Sequence, residues 1–119
     1  MRHLNGNKKL NVGSSHRKAL VRNQVIQLIN FGHINVTLTH AKEIRRLAER
    51  LVTIAAKGNN DFNAIRRVQS LLPYSAEARA KLFAEIAPTY VSRPGGYTRI
   101  LHLGRRPSDS ANMARLQWV

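Results

Sequence analysis

The chain has no cysteine among its 119 residues, so disulfides and thiolate metal sites are excluded. That also weakens any secreted, disulfide-stapled reading. Acidic residues are scarce as well: six Asp and Glu stand against twenty Lys and Arg, and none precedes Glu43. None of the six forms a pair suited to acid–base or two-metal work. His3, His33, His40 and His102 show no zinc-like spacing, so no metal or cofactor is expected. No apolar run approaches the roughly 20 residues of a membrane-spanning helix, and the basic N-terminus lacks the apolar core of a signal peptide. No membrane partner is expected. Asn5, Gly6, Asn7, Asn11 and Gly13 would make a poor amphipathic helix, which argues against an organellar leader.

What is present is positive charge, unevenly placed. The net charge is +14, where an ordinary small domain carries roughly 2–8 in magnitude. Residues 1–42 hold seven basic and no acidic residues; residues 43–92 hold eight and five; residues 93–119 hold five and one. Such a surplus repels itself in a compact state and makes sense beside a dense polyanion. Arginine outnumbers lysine 14 to 6, and guanidinium can grip phosphate with two parallel hydrogen bonds. A hydrophobic fraction of 43% is enough for a real core, and the length fits one domain, 1–119.

Along the chain, residues 1–13 lack periodicity and read as a basic arm that orders on a partner. Ser14 or Ser15 caps a helix running to about Phe31, with Gly32 as its left-handed stop. Its stripe Lys18, Arg22, Val25, Ile29 is basic first and apolar later, so the first half should project and the second should pack. Ile34, Val36 and Leu38 alternate with polar residues as a short strand. Thr39 would cap the next helix, with Glu43 near its first turn. In that helix Ile44, Leu47, Leu51, Ile54 and Ala55 repeat at helical spacing, with Lys42, Arg46 and Arg50 on the opposite face. A helix over about 61–72 turns Phe62, Ile65, Val68 and Leu72 inward. Another, capped by Ser75, turns Ala78, Leu82, Phe83 and Ile86 inward until Pro88 stops it; Glu77, Arg79, Lys81 and Glu85 on its outer face read as solvated. A strand over 97–103, a polar loop over 104–110 and a strand carrying Ala114, Leu116 and Trp118 form a hairpin. The expected fold is α+β: helix, strand, three helices, two strands, with a small three-stranded mixed sheet covered by helices.

Candidate contact residues follow from these placements. In the arm they are Arg2, His3, Lys8 and Lys9. At the first helix they are Ser14, Ser15, His16, Arg17, Lys18 and Arg22. On the second helix Lys42, Arg45 and Arg46 qualify. Near the hairpin they are Arg93, Gly95, Gly96, Tyr97 and Arg99, with Arg105 and Arg106 in its loop. The paired glycines allow close backbone approach or dihedrals closed to other residues. Tyr97 either stacks on a base or packs in the core. Ser14-Ser15-His16 is no catalytic arrangement, because no carboxylate lies near to orient His16. The glycine–lysine–serine spacing of phosphate-cradling enzyme loops is missing, so no small-molecule substrate is expected. A helix-turn-helix regulator would need a basic recognition helix, and a small nuclease would need arranged carboxylates or a general base.

The motifs also carry a resemblance. Met1-Arg2-His3, Lys9-Leu10-Asn11, Ser14-Ser15-His16-Arg17, Thr37-Leu38, Ala41 to Arg46, Leu82-Phe83 with Pro88, Ser92 through Leu101, Gly104-Arg105-Arg106, Asp109 and Met113-Ala114 occur in one order over nearly the whole chain. In these the sequence resembles the family of bacterial-type large-subunit ribosomal protein number seventeen. It departs at Val12, His40 and Ser108, and matches weakly over 58–74. The resemblance implies a non-enzymatic structural component bound to large-subunit ribosomal RNA, beside other ribosomal proteins, on the ribosome of a bacterial cytoplasm rather than an organelle. It also implies a place on the solvent side, near the peptide exit region.

Overall fold

The computed structural model describes residues 3, 8–58 and 61–119. Its centre is helix α2 (Leu38–Ala55), whose inward stripe of Ala41, Ile44, Ala48, Leu51, Val52 and Ala55 is buried. Small residues alternate with Leu and Ile along that stripe, so neighbouring elements approach closely on several sides. Helix α1 (Ser14–Phe31) packs against it. Its buried residues, Val25, Leu28 and Ile29, all lie in its second half, while Ser14, Ser15, His16 and Lys18 are exposed. The switch from basic to apolar along one stripe therefore marks where α1 enters the core. Each fully buried Leu or Ile contributes about 1.5–3 kcal/mol, so the second half anchors the whole helix. Gly32 closes it at φ 82°, donating its N–H to the Leu28 carbonyl at 2.9 Å.

Strand β1 (His33–Thr37) follows at once. Leu38 belongs to α2 rather than to the strand, and Thr37 rather than Thr39 is the cap residue, without a side-chain cap bond. Glu43 accordingly lies beyond the first turn, which holds no acid. At α1 the cap position falls on Gly13, not Ser14 or Ser15, and again no side chain caps it.

The sheet is completed by β2 (Thr98–Arg105) and β3 (Asn112–Trp118), in the order β1-β3-β2. Both pairings are antiparallel, not mixed. A parallel ladder would require β1 beside β2; β3 lies between them and runs opposite to both. Ile34, Val36, Ala114, Leu116, Thr98 and Ile100 face the helices. The register slips between His102 and Gly104, a bulge beside a glycine at φ 89°. Every residue from Leu101 to Ser110 is exposed, so the hairpin tip stands clear of the core.

Helix α3 (Phe62–Leu71) is capped by Asp61, which accepts from the N–H groups of Asn63 and Ala64. Its phase differs from expectation: Ala64 and Val68 are buried with Leu72, while Phe62 is 76% exposed and Ile65 36%. Two apolar stripes compete in this short helix, and the one with the smaller residues fits closely against α2. Ser75 caps α4 (Ala76–Lys81), accepting from Ala78 N–H at 3.1 Å. The chain then passes through a π-helical turn (Leu82–Ile86) into a last turn, α5 (Ala87–Thr89). Pro88 therefore does not stop the helix. It sits at the start of α5, after a widened turn, where a residue without an N–H is tolerated. Arg79 and Lys81 are not simply solvated: Arg79 donates to the Leu72 carbonyl at 2.6 Å and Lys81 to the Asn30 carbonyl at 2.9 Å. Both cations thus satisfy carbonyls at helix C-termini.

Candidate nucleic-acid interface

The basic residues fall into three surface regions. The first joins the start of α1 to the chain before it. Arg2 lies outside the described residues; His3, Lys8 and Lys9 are exposed. Lys8 donates its backbone N–H to Glu43 on α2 at 3.1 Å, and Leu10 and Asn11 take left-handed dihedrals at φ 56° each. Arg17 reaches back to the Lys9 and Val12 carbonyls at 3.5 and 3.4 Å. Residues 8–13 therefore form a turn laid on α1 and α2 rather than an extended arm. Arg17 has a structural role there, while Ser14, Ser15, His16 and Lys18 stay exposed at a helix start that no side chain caps. Backbone N–H groups at such a start favour an anion. Arg22 is half-buried, with its guanidinium 5.8 Å from the centre of the Tyr74 ring.

The second region is the outer face of α2. Lys42, Arg46 and Arg50, four residues apart, are all exposed. Arg45 is turned aside and pairs with Glu49 at 3.4 Å. The two acids of this helix face elsewhere. Glu43 holds Lys8, and Glu49 accepts from both the N–H and the hydroxyl of Thr98 at 3.1 and 2.8 Å. The Glu49–Thr98 contact seats the start of β2 against α2. The match between acid and strand is invisible to sequence reading, since the partners lie 49 residues apart.

The third region is the segment before β2 and the hairpin tip. Gly95 at φ 146° and Gly96 at φ 65° occupy dihedrals that other residues rarely adopt, and a Cβ at either would meet nothing within 4 Å. These glycines are needed for backbone geometry, and the space around them is open to a partner. Tyr97 is only 4% exposed. Its ring lies 5.2 Å from that of Tyr90, and its hydroxyl donates to the Arg93 carbonyl at 3.1 Å. Base stacking by Tyr97 is thereby removed; the residue acts as a core anchor that shapes the loop. Tyr90 completes this aromatic group, donating to the Val119 carbonyl at 2.6 Å and lying 6.3 Å from the Trp118 ring. Burial pushes its phenol above the ordinary range, while Arg93, 5.4 Å over the ring, pulls the other way. Arg93 and Arg99 themselves are exposed.

At the tip, Arg106 makes two hydrogen bonds to Asp109, at 2.9 and 2.6 Å. Those bonds, with the Ala111 N–H, hold the Asp109 carboxyl down at about 2. Arg106 thus braces the loop, and Arg105 is the tip cation with no partner among the described residues. The structure brings the α1 start and α2 together through the Lys8–Glu43 bond, and sends Arg99 to the sheet face turned away from the helices. It leaves Arg105 and Arg106 on a projecting hairpin. Sequence reasoning missed Arg115, which donates to Asn35 across the sheet at 2.9 Å. Its only sequence signal was a cation alternating with Ala114 and Leu116. Among the described residues no cluster of His, Asp and Glu could hold a metal, and no helix is long and apolar enough to cross a membrane.

Comparison with known proteins gives the family. The chain is 48% identical to the large ribosomal subunit protein bL17 of Sulfurimonas denitrificans, over the full length of both. It is equally 48% identical to the large ribosomal subunit protein bL17 of Campylobacter lari, over the whole of this chain and 99% of that one. Residues 20–119 match the model of the ribosomal protein L17 family, a family of structural proteins and not of enzymes. With that match and two full-length relatives, the chain belongs to the ribosomal protein L17 family.

Proposed function

We propose that this protein binds large-subunit ribosomal RNA through phosphate-backbone and shape contacts, and so supports subunit assembly and translation. Membership of its family makes it a structural part of the large ribosomal subunit. The observation that carries the RNA reading is the outer face of α2: Lys42, Arg46 and Arg50 are exposed in a row, while Glu43 bonds the Lys8 amide and Glu49 bonds Thr98 and Arg45. Exposed cations at regular spacing suit phosphates, whose contacts fix position without reading sequence. The α1 start with Lys8, Lys9 and Lys18 extends this surface, and the exposed Arg93, Arg99 and Arg105 supply contacts elsewhere on the binding surface. Arg2, His3, Ser14, Ser15, His16, Arg17, Arg22, Arg45, Gly95, Gly96 and Arg106 belong to it as contacts or as the scaffold that places them. The chain acts as one domain in the bacterial cytoplasm, beside neighbouring large-subunit proteins.

Binding of purified protein to large-subunit ribosomal RNA across a salt series tests this. Replacing Lys42, Arg46 and Arg50 together with Gln is expected to flatten the log–log salt slope by about 2–3, at roughly 0.7–0.9 per lost phosphate contact. An unchanged slope in a folded variant would refute the assignment.

A further inference from the structure

The sheet has a second face that no described element covers. Strand alternation sends Ile34, Val36, Ala114, Leu116, Thr98 and Ile100 toward the helices, and sends the intervening residues the other way. Across that outer face the register makes two adjoining rows. His33, Gln117 and Arg99 form one; Asn35, Arg115 and Leu101 form the next. We propose that this outer sheet face, centred on Arg99 and Arg115, is a further ribosomal-RNA contact, gripping adjacent phosphates and riboses of a folded RNA. The proposal rests on the reading of the protein as an RNA-binding subunit component.

Three observations carry it. First, charge: the three strands contain Arg99, Arg105 and Arg115 and not one Asp or Glu. The acid nearest the sheet, Glu49, bonds Thr98 on the opposite face. A cationic face without counter-charges complements a polyanion, and a protein partner of mixed charge would leave these arginines unmatched. Second, preorganisation: Arg115 is held by its Nε–H on Asn35 Oδ1, which aims the guanidinium and leaves its two terminal nitrogens for a ligand. Arg99 sits opposite Gln117, diagonal to Arg115, a separation of roughly 7–8 Å between such positions. Both can therefore engage one stretch of backbone. Third, composition: Asn35, Gln117 and His33 supply donors and acceptors suited to ribose hydroxyls, and Leu101 is the one large aliphatic in the two rows. A face meant for a protein core would be more apolar than this.

The test uses the full chain and large-subunit ribosomal RNA transcribed in vitro, with binding measured against salt. Arg115→Gln should lower the log–log slope by about 0.7–0.9, one phosphate contact. Gln117→Glu keeps the size of the side chain and the Arg115–Asn35 bond but places a carboxylate between the arginines; it should weaken binding severalfold at low salt. Thermal melting identifies which variants remain folded, and Gln117→Glu decides the matter if Arg115→Gln does not fold. If both bind as the parent does while the Lys42, Arg46 and Arg50 replacements weaken binding, the sheet face is not an RNA contact and the broader function stands. If no variant alters binding, both readings fall. If the sheet variants lose only incorporation into subunits, with unchanged affinity for naked RNA, the face meets protein and the proposal is overturned.

Discussion

Replacing Glu49 by Ala should damage the fold more than any other change to an acidic side chain. Glu49 is half-buried on α2, and one oxygen accepts both the backbone N–H and the hydroxyl of Thr98, a residue 4% exposed. Removing the carboxylate leaves two donors without a partner where water has little access. A buried donor left unsatisfied costs about 1–3 kcal/mol, and bonds to a charged acceptor lie toward the upper end. The hydroxyl can rotate to seek another acceptor, but the amide cannot, so the expected loss is about 2–4 kcal/mol. The Arg45 pair adds little, because its guanidinium is 43% exposed and screened. For a chain of this size the melting temperature should fall on the order of 10 °C. Glu49→Gln, which retains an acceptor, should lose only about 1 kcal/mol. Thr98→Val removes the hydroxyl alone, and a double-mutant cycle with Glu49→Ala isolates the coupling. Urea or thermal unfolding provides the measurement. If Glu49→Ala melts within about 0.5 kcal/mol of the parent, a range typical of inconsequential surface changes, the contact does not hold β2 to α2.

The glycines before β2 should differ in tolerance. Gly96→Ala at φ 65° should cost about 1 kcal/mol and Gly95→Ala at φ 146° about 1–3 kcal/mol, since open space around both leaves backbone strain as the penalty. Equal and negligible costs in unfolding experiments would show that this loop relaxes freely. The hairpin-tip pair should outlast mild acid. The Asp109 carboxyl is depressed from 3.8 to about 2, so its contribution is present above pH 3.8 and fades as pH falls through about 2. A carboxyl NMR titration with a midpoint near 4 would mean that Arg106 does not hold it in solution.

The parts legible from sequence are those decided within a turn or two of chain. The α2 stripe repeats at helical spacing over its whole length, and only one face can be buried. The Gly32 stop, the Ser75 cap and the Asp61 start depend on neighbours two to four residues away. Failure came where the deciding partner is distant. In α3 the pattern allows two apolar stripes, and only the close approach of α2 selects Ala64 and Val68 over Phe62 and Ile65. Pro88 looked like a stop because a π-helical turn leaves no local pattern to read. Strand direction followed from which strand lies in the middle, a property of the whole sheet. The candidate contact surface divides in the same way: cations on helices are legible in the sequence, while Arg115 needed Asn35, 80 residues away, to become a candidate.

The scarcity of acid and the excess of base are then one fact about folding. Of the six acidic residues, Glu43 holds the Lys8 amide, Glu49 holds Thr98, Asp61 caps α3 and Asp109 locks Arg106. Glu77 lies in the first turn of α4, where a negative charge suits the helix dipole. Five of the six therefore sit where the backbone or a loop needs a negative group, which leaves Glu85 alone without such a place. A soluble domain without a polyanionic partner would scatter further carboxylates among its surface cations to limit self-repulsion. Here acid is retained where the fold requires it and is almost absent elsewhere. Exposed cations then stand along the α1 start, the outer face of α2 and the strands. Adding one carboxylate to such a surface should therefore leave stability intact, or raise it by relieving repulsion, while weakening RNA binding. That opposition of signs distinguishes a surface kept basic for a ligand from one kept basic for the fold.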